Sequence, residues 1–356
     1  VDFLRAFSLI VVVIYHWVFT IVIWAPHGPV ASSPLEYTRG LWILTWILQV
    51  VPLFFFVGGF VHRAAYTKAR RQRTGYWAFV AGRLRRLLVP ALAMLAAWTI
   101  VGLAASRFVS NNAAVGKTVK LVVSPLWFIG VYVALVLLVP ALIWLHERAG
   151  VAVVALLAAL VLVVDALRFG GGLAWVASLN LLFGWALCHQ LGFFYDRLIA
   201  LPRSRHWTLA GGGILLLAAL VLTNRYPGSM VGVPGQRFSN MAPPTFCIVA
   251  LCFLQIGLVM VIRPWVVPRL RRPRWAVAND AINRYAMPVF LFHTTAYVAA
   301  MGLLMGVGIE APQRPTTAWW LQRPLFLALP LACAALLIAL FGRRWVTSPE
   351  VHSRNA

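Results

Sequence analysis

The chain opens VDFLRAFSLIVVVIYHW (Val1–Trp17), an apolar run with Arg5 at its mouth and His16 inside it. Both side chains are costly in hydrocarbon, so the fold turns on whether this run lies in a membrane. Composition decides the point. Of 356 residues, 62% are hydrophobic and 11% charged, with a mean hydropathy of +0.85. A soluble domain carries about 25% charged residues, so this chain has too little polar surface to wet a globule. Apolar stretches of about 20 residues recur along its length, as in an all-α, polytopic bundle of transmembrane helices. The first run carries no small-residue cleavage site and reads as a span, not a signal peptide.

Ten spans are predicted: Phe3–Trp24, Leu41–Val61, Leu87–Ala105, Leu126–Leu145, Val151–Leu167, Leu173–Phe194, Thr208–Thr223, Thr245–Ile262, Tyr285–Val307 and Pro324–Gly342. No internal repeat or long linker divides them, so 1–342 reads as one transmembrane domain followed by a short basic tail, 343–356. The formal charge of +23 is concentrated between the spans. Membrane topology accounts for it, and nucleic acid is not an expected partner. The loops His62–Arg86, His146–Gly150, Tyr195–Trp207 and Arg263–Arg284, with the tail, hold 21 Lys and Arg against 9 in the opposite loops. The positive-inside bias therefore places both termini in the cytoplasm. The longest opposite loop, Asn224–Pro244, is rich in Gly, Pro, Ser and Asn and reads as turns. It is either an ordinary connection or a cover over a binding site. The four cysteines fall in predicted spans without metal-ligand spacing, so neither a metal nor a disulfide framework is expected.

Arg5 and His16 are eleven residues apart, which on a helix puts them within about 20° of one face and about 16 Å apart along the axis. Asp2, one turn before Arg5, is placed to pair with it. Taken singly, Arg5 reads as a boundary arginine reaching lipid phosphates and His16 as an imidazole bonded to a neighbouring helix. Together they point to a shared cavity.

The wider pattern resembles the acyltransferase-3 family of integral-membrane acyltransferases. That family's first span carries an arginine, ten intervening residues and a histidine, and Arg5 and His16 match it. Further likenesses follow in order: PLFFFVGGF (Pro52–Phe60), GRLRRLLVP (Gly82–Pro90), PLWFIGVYV (Pro125–Val133) and YAMPVFLFH (Tyr285–His293). One departure is Gly58-Gly59, where the family more often has Ser-Gly.

The resemblance implies transfer of an acyl group, acetyl being the simplest, from cytoplasmic acyl-CoA to a hydroxyl. The acceptor would be a carbohydrate or glycolipid of the cell envelope or an exported molecule, and the enzyme would sit in a bacterial cytoplasmic membrane among its lipids. A hydroxyl needs a base to take its proton, and histidine suits that role, which falls to His16; the same residue also suits an acyl-histidine intermediate, and the sequence does not separate that route from direct transfer. Arg83 and Arg86 are candidates for the phosphates of acetyl-CoA, since the guanidinium fork pairs with phosphate oxygens; Arg5 is a candidate either for the same phosphates or, as a catalytic residue, for stabilising charge near the thioester. For His62–Arg86 as a whole, topology and lipid contact suffice. His293 is a candidate to orient His16, to contact the acceptor, or to bond a backbone carbonyl. Asp165 is read either as an acceptor ligand or as a partner of Arg168. Trp127 and Tyr132 read as channel lining or interfacial anchors, and His189 as a core histidine bonded to another helix. Asn240 and Thr245 are acceptor-site candidates. With so short a tail, acceptor specificity falls to the bundle, its loops or a partner protein. The rival reading is a transporter or flippase in which the buried His and Arg handle protons or an anion.

Overall fold

Helices dominate because, in hydrocarbon, each backbone N–H and C=O must find its partner within its own segment. The computed structural model describes residues 1–25, 28–309 and 312–346, and the fold is 80% helical with almost no strand. In chain order come α1 (Asp2–Phe19), the hairpin strands β1 (Ile21–Ala25) and β2 (Gly28–Ser32), α2 (Val51–Arg71) and α3 (Tyr76–Phe108). They are followed by α4 (Asn112–Val123), α5 (Trp127–Ala149), α6 (Val151–Phe169), α7 (Asn180–Gly192) and α8 (Arg203–Leu222). The last are α9 (Phe246–Leu270), α10 (Pro273–Arg284), α11 (Ala286–Gly306) and α12 (Arg323–Leu337). Among the described residues, nine helical segments are long and apolar enough to cross a membrane.

Several edges differ from the sequence expectation, each for a local reason. The first span was expected to reach Trp24, but α1 stops at Phe19 and Ile21–Ala25 is a strand. Thr20, Ile21, Val22 and Ile23 are all β-branched, which favours the extended chain. His62–Arg86 was expected to be a loop. Instead α2 and α3 run through most of it and turn only near Arg73, whose φ is 53°. Arg, Lys, Gln and Ala are good helix formers, and no breaker occurs before Thr74-Gly75. The expected Leu173–Phe194 span divides into a 3₁₀ stretch, Ala174–Leu179, and the 13-residue α7. Here Ser178 bonds back to the Trp175 carbonyl and Asn180 reaches toward Asp165, local bonds that compete with a continuous helix. This accounts for nine long helices where ten spans were expected.

The chain forms two compact units. The first comprises the described residues of Val1–Ala31, Leu92–Pro125 and Val266–Ala356. Its core is built from one face of α1 (Leu9, Val13, Trp17) against Ala296, Tyr297, Ala300, Met301 and Leu304 of α11 and Phe326 and Ala334 of α12. Ala296 and Ala300, one turn apart and fully buried, allow close helix approach.

The second unit comprises Ser32–Ala91 and Leu126–Trp265. Its central helix is α7, buried from Gly184 through Gln190 and packed by α2, α5 and α6. Lipid supplies no hydrophobic drive between helices, so small residues carry the contact. A Cβ added to Gly59 of α2 would lie 1.8 Å from the His189 carbonyl oxygen, and one on Gly192 would lie 2.0 Å from that of Phe56. Gly213 and Gly257 make a similar crossing of α8 and α9.

Overpacking costs about 1–3 kcal/mol when side chains can adjust. At Gly59 the obstacle is backbone, so Gly59→Val is expected to abolish the folded protein in detergent. Gly211→Val, where a Cβ meets nothing within 4 Å, is expected to melt like the wild type. Equal melting temperatures for the two variants would contradict this packing.

Candidate active site

Within the first unit, α1 and α11 bring His16 and His293 together. Nδ1 of His16 lies 2.9 Å from Nε2 of His293. The ring planes are nearly parallel, 13° apart, with centroids 5.0 Å apart, so the rings meet edge to edge through that bond. Nδ1 of His293 lies 2.6 Å from the Phe290 carbonyl oxygen. A carbonyl only accepts, so that nitrogen carries a proton. In the neutral ring Nε2 of His293 is then an acceptor, and Nδ1 of His16 must be the donor. The remaining nitrogen of His16, Nε2, is left with its lone pair and has no hydrogen-bond partner among the described residues. Thus the backbone of α11 sets the tautomer of a side chain on α1. Two of the roles read for His293 occur at once: it orients His16, and it bonds a backbone carbonyl.

The surroundings hold His293 still. Trp17 donates its indole N–H to the His293 carbonyl at 2.9 Å, and Thr294 donates to the Val122 carbonyl at 2.9 Å. Trp98 donates to the Thr295 hydroxyl at 3.1 Å, and Tyr297 to the Thr20 carbonyl at 2.9 Å. His293 is 1% exposed, whereas His16 is only partly buried.

Arg5 sits three turns below His16 on the same helix. Its Nε donates to Oδ1 of Asn283 at 2.8 Å, and it pairs with Asp2 at 3.4 Å. Asn283 in turn donates to the carbonyls of Asp2 and Asn279 at 3.1 and 2.9 Å. Both members of the Arg5–Asp2 pair are more than a third exposed, so the pair adds little stability. What the arrangement secures is the direction of the guanidinium, four of whose five N–H donors lie outside the Asn283 bond.

The other candidates lie in the second unit. Arg83 is half-buried, donates to the Phe79 carbonyl at 3.2 Å and stacks 3.9 Å over the Phe79 ring. Arg86, one turn on, is exposed. Trp127 and Tyr132 belong to an aromatic cluster with Phe54, Phe55, Phe128 and Trp185. Tyr132 presses against Gly58, where a Cβ would meet its ring at 3.1 Å. The glycine that departs from the family pattern is therefore where this tyrosine fits.

Asp165 is 1% exposed and accepts from Asn180 at 3.1 Å, the Tyr226 hydroxyl at 3.1 Å and the Phe246 amide at 2.8 Å. It forms no ion pair with Arg168 among the described residues. Burial, with the Asp165 carboxyl next to it, pushes the Tyr226 hydroxyl above the usual phenol range. Asn240 is fully buried, donates to the carbonyls of Pro227 and Ser229 and accepts from Thr245 at 2.7 Å. Its polar atoms are engaged in holding the 224–244 loop.

A second histidine pair was not foreseen. His62 lies 2.9 Å from His189, and His146 lies 3.1 Å from Gln190. His189 does bond another helix, as read from the sequence. Nδ1 of His189 and the indole nitrogen of Trp185, one turn earlier, are buried without hydrogen-bond partners among the described residues. The available signal was that α2 meets no breaker after Val61, which places His62 inside a helix.

In nitrogen-15 spectra of histidine-labelled protein, His16 is expected to show a protonated Nδ1 and a bare Nε2. The opposite tautomer would contradict the chain of bonds through His293.

A family model described as an acyltransferase domain matches residues 1–342. No curated protein and no solved structure matches the chain.

Proposed function

The chain belongs to the acyltransferase-3 family, and on that footing we propose that it moves an acetyl group from cytoplasmic acetyl-CoA to a carbohydrate or glycolipid hydroxyl, with His16 as general base. That it is a multi-pass membrane acyltransferase follows from the family and its apolar helices. Donor, acceptor, base, orientation and residence in a bacterial cytoplasmic membrane are the further reading.

The observation that carries it is the bond chain Phe290 carbonyl, His293, His16, which leaves Nε2 of His16 able to take a proton. In the step proposed, the acceptor O–H proton passes to Nε2 as the oxygen attacks the thioester carbonyl. The tetrahedral intermediate collapses, the C–S bond breaks, and CoA sulfur leaves with the proton from Nε2. As the imidazolium forms, its Nδ1–H remains bonded to His293. His293 thus acts as a positioning residue.

Arg5 lies too far along α1 to meet the same thioester, at about 16 Å. That separation is on the scale of the pantetheine arm joining CoA's phosphates to its thioester, so Arg5 is assigned to the phosphates. Arg83 and Arg86 suit the same charge-assisted bonding. The excess of Lys and Arg around them supports a cytoplasmic position.

With labelled acetyl-CoA and purified protein, His16→Ala is expected to bind the donor while CoA release and transfer fall about 10²–10⁴-fold. His293→Ala is expected to lower kcat with little change in KM for acetyl-CoA. Arg83→Gln with Arg86→Gln is expected to raise that KM. Undiminished turnover by folded His16→Ala would overturn the assignment of the base.

A further inference from the structure

The second unit has a cavity of about 370 Å³ where the C-terminal end of α6 meets the 224–244 loop. Its lining includes Arg168, Gln236, Arg237, Phe238 and Ser239, together with Gly232. Two guanidinium groups frame one aromatic wall. Arg168 lies 5.1 Å from the ring centroids of both Phe169 and Phe238, and Arg237 lies 5.0 Å from that of Phe238. The two phenylalanines meet edge to face at 5.3 Å.

The charge of this cavity is only partly compensated: Asp165 attracts Arg168 without forming a salt bridge to it among the described residues, and the lining offers Arg237 no acidic neighbour. None of its lining residues is acidic, and the 224–244 segment contains no Asp or Glu. Asp165, three residues before Arg168, turns inward to Asn180, Tyr226 and the Phe246 amide. Topology does not account for these arginines either. They belong to the loops with fewer basic residues, on the side where the positive-inside bias favours none.

The loop is also built to keep its shape. Gly235 turns it with a φ of 80°, and the Asn240–Thr245 bonds tie its base. Ser239 accepts from the amides of Met241 and Ala242, so its O–H is left to donate. An open surface depression of this volume has room for a small saccharide unit. Its chemistry is specific: guanidinium forks, held over the Phe238 ring, for a carboxylate, and an amide and a hydroxyl for sugar hydroxyls.

We propose that this cavity binds a carboxylated saccharide, and so selects acidic glycans as the acceptors of this enzyme. The proposal rests on the reading that the acceptor is a carbohydrate, but its test does not depend on transfer. Trigalacturonate and its methyl ester, the same sugar without the charge, are titrated calorimetrically into the full chain in uncharged detergent. The free acid is expected to bind at least tenfold more tightly than the ester. Arg168→Gln with Arg237→Gln is expected to weaken the acid at least tenfold and leave the ester unaffected. Gly232→Leu, which adds bulk beside Ser239 without touching charge, is expected to weaken both. His16→Ala is expected to bind the acid as the wild type does, so a failed base assignment leaves this result standing. Equal binding of acid and ester, binding of neither, or undiminished binding by the arginine variant would overturn the proposal. So would displacement of the saccharide by equimolar phosphatidylglycerol in mixed micelles, which would assign the cavity to lipid phosphate.

Discussion

The bond between Nδ1 of His16 and Nε2 of His293 decides what the first unit can do. An imidazole in hydrocarbon must place both ring nitrogens or forfeit their hydration, at a cost of several kcal/mol for an unsatisfied polar group. Here one nitrogen is placed on a second imidazole, which is itself placed on a backbone carbonyl. The remaining nitrogen of His16 is spared and carries the lone pair. The threonine, tyrosine and tryptophan bonds around α11 serve the same end, because a ring shifted by an ångström would lose the alignment that proton transfer needs.

The second unit solves its own problem differently. Its central helix is buried on every side, so its neighbours approach through glycine, backbone to backbone, at Gly59 and Gly192. Aromatic rings then fill the space that small residues open, as Tyr132 does over Gly58. The polar groups left within this packing, the His62–His189 pair and the Trp185 indole, sit on or against that central helix. Asp165 is absorbed into a structural junction joining α6, α7, the 224–244 loop and α9.

Much of the fold was legible because membrane helices announce themselves by composition and length. The eleven-residue spacing of Arg5 and His16 placed both on one helix face, and the family likeness pointed to His293. Other features were not legible. The end of α1 depends on a β-branched run after Phe19, which hydropathy scores as well as it does a helix. The His62–Arg86 stretch looked like a loop because charge marks membrane edges, although its residues favour helix. The role of the Phe290 carbonyl has no side-chain signature at all, and neither does the engagement of Asn240 by backbone carbonyls within its own loop. Asp165 and Arg168, one turn apart, invited an ion pair that the competing claims of Asn180, Tyr226 and the Phe246 amide prevent.

The most direct test of the central claim is an experimental structure with a non-hydrolysable acetyl-CoA analogue bound. The account predicts the acyl carbonyl carbon near Nε2 of His16, with room between them for one hydroxyl oxygen, and the phosphates toward Arg5. An acyl group seated instead against His62 and His189 would contradict it, and would move the chemistry to the other histidine pair.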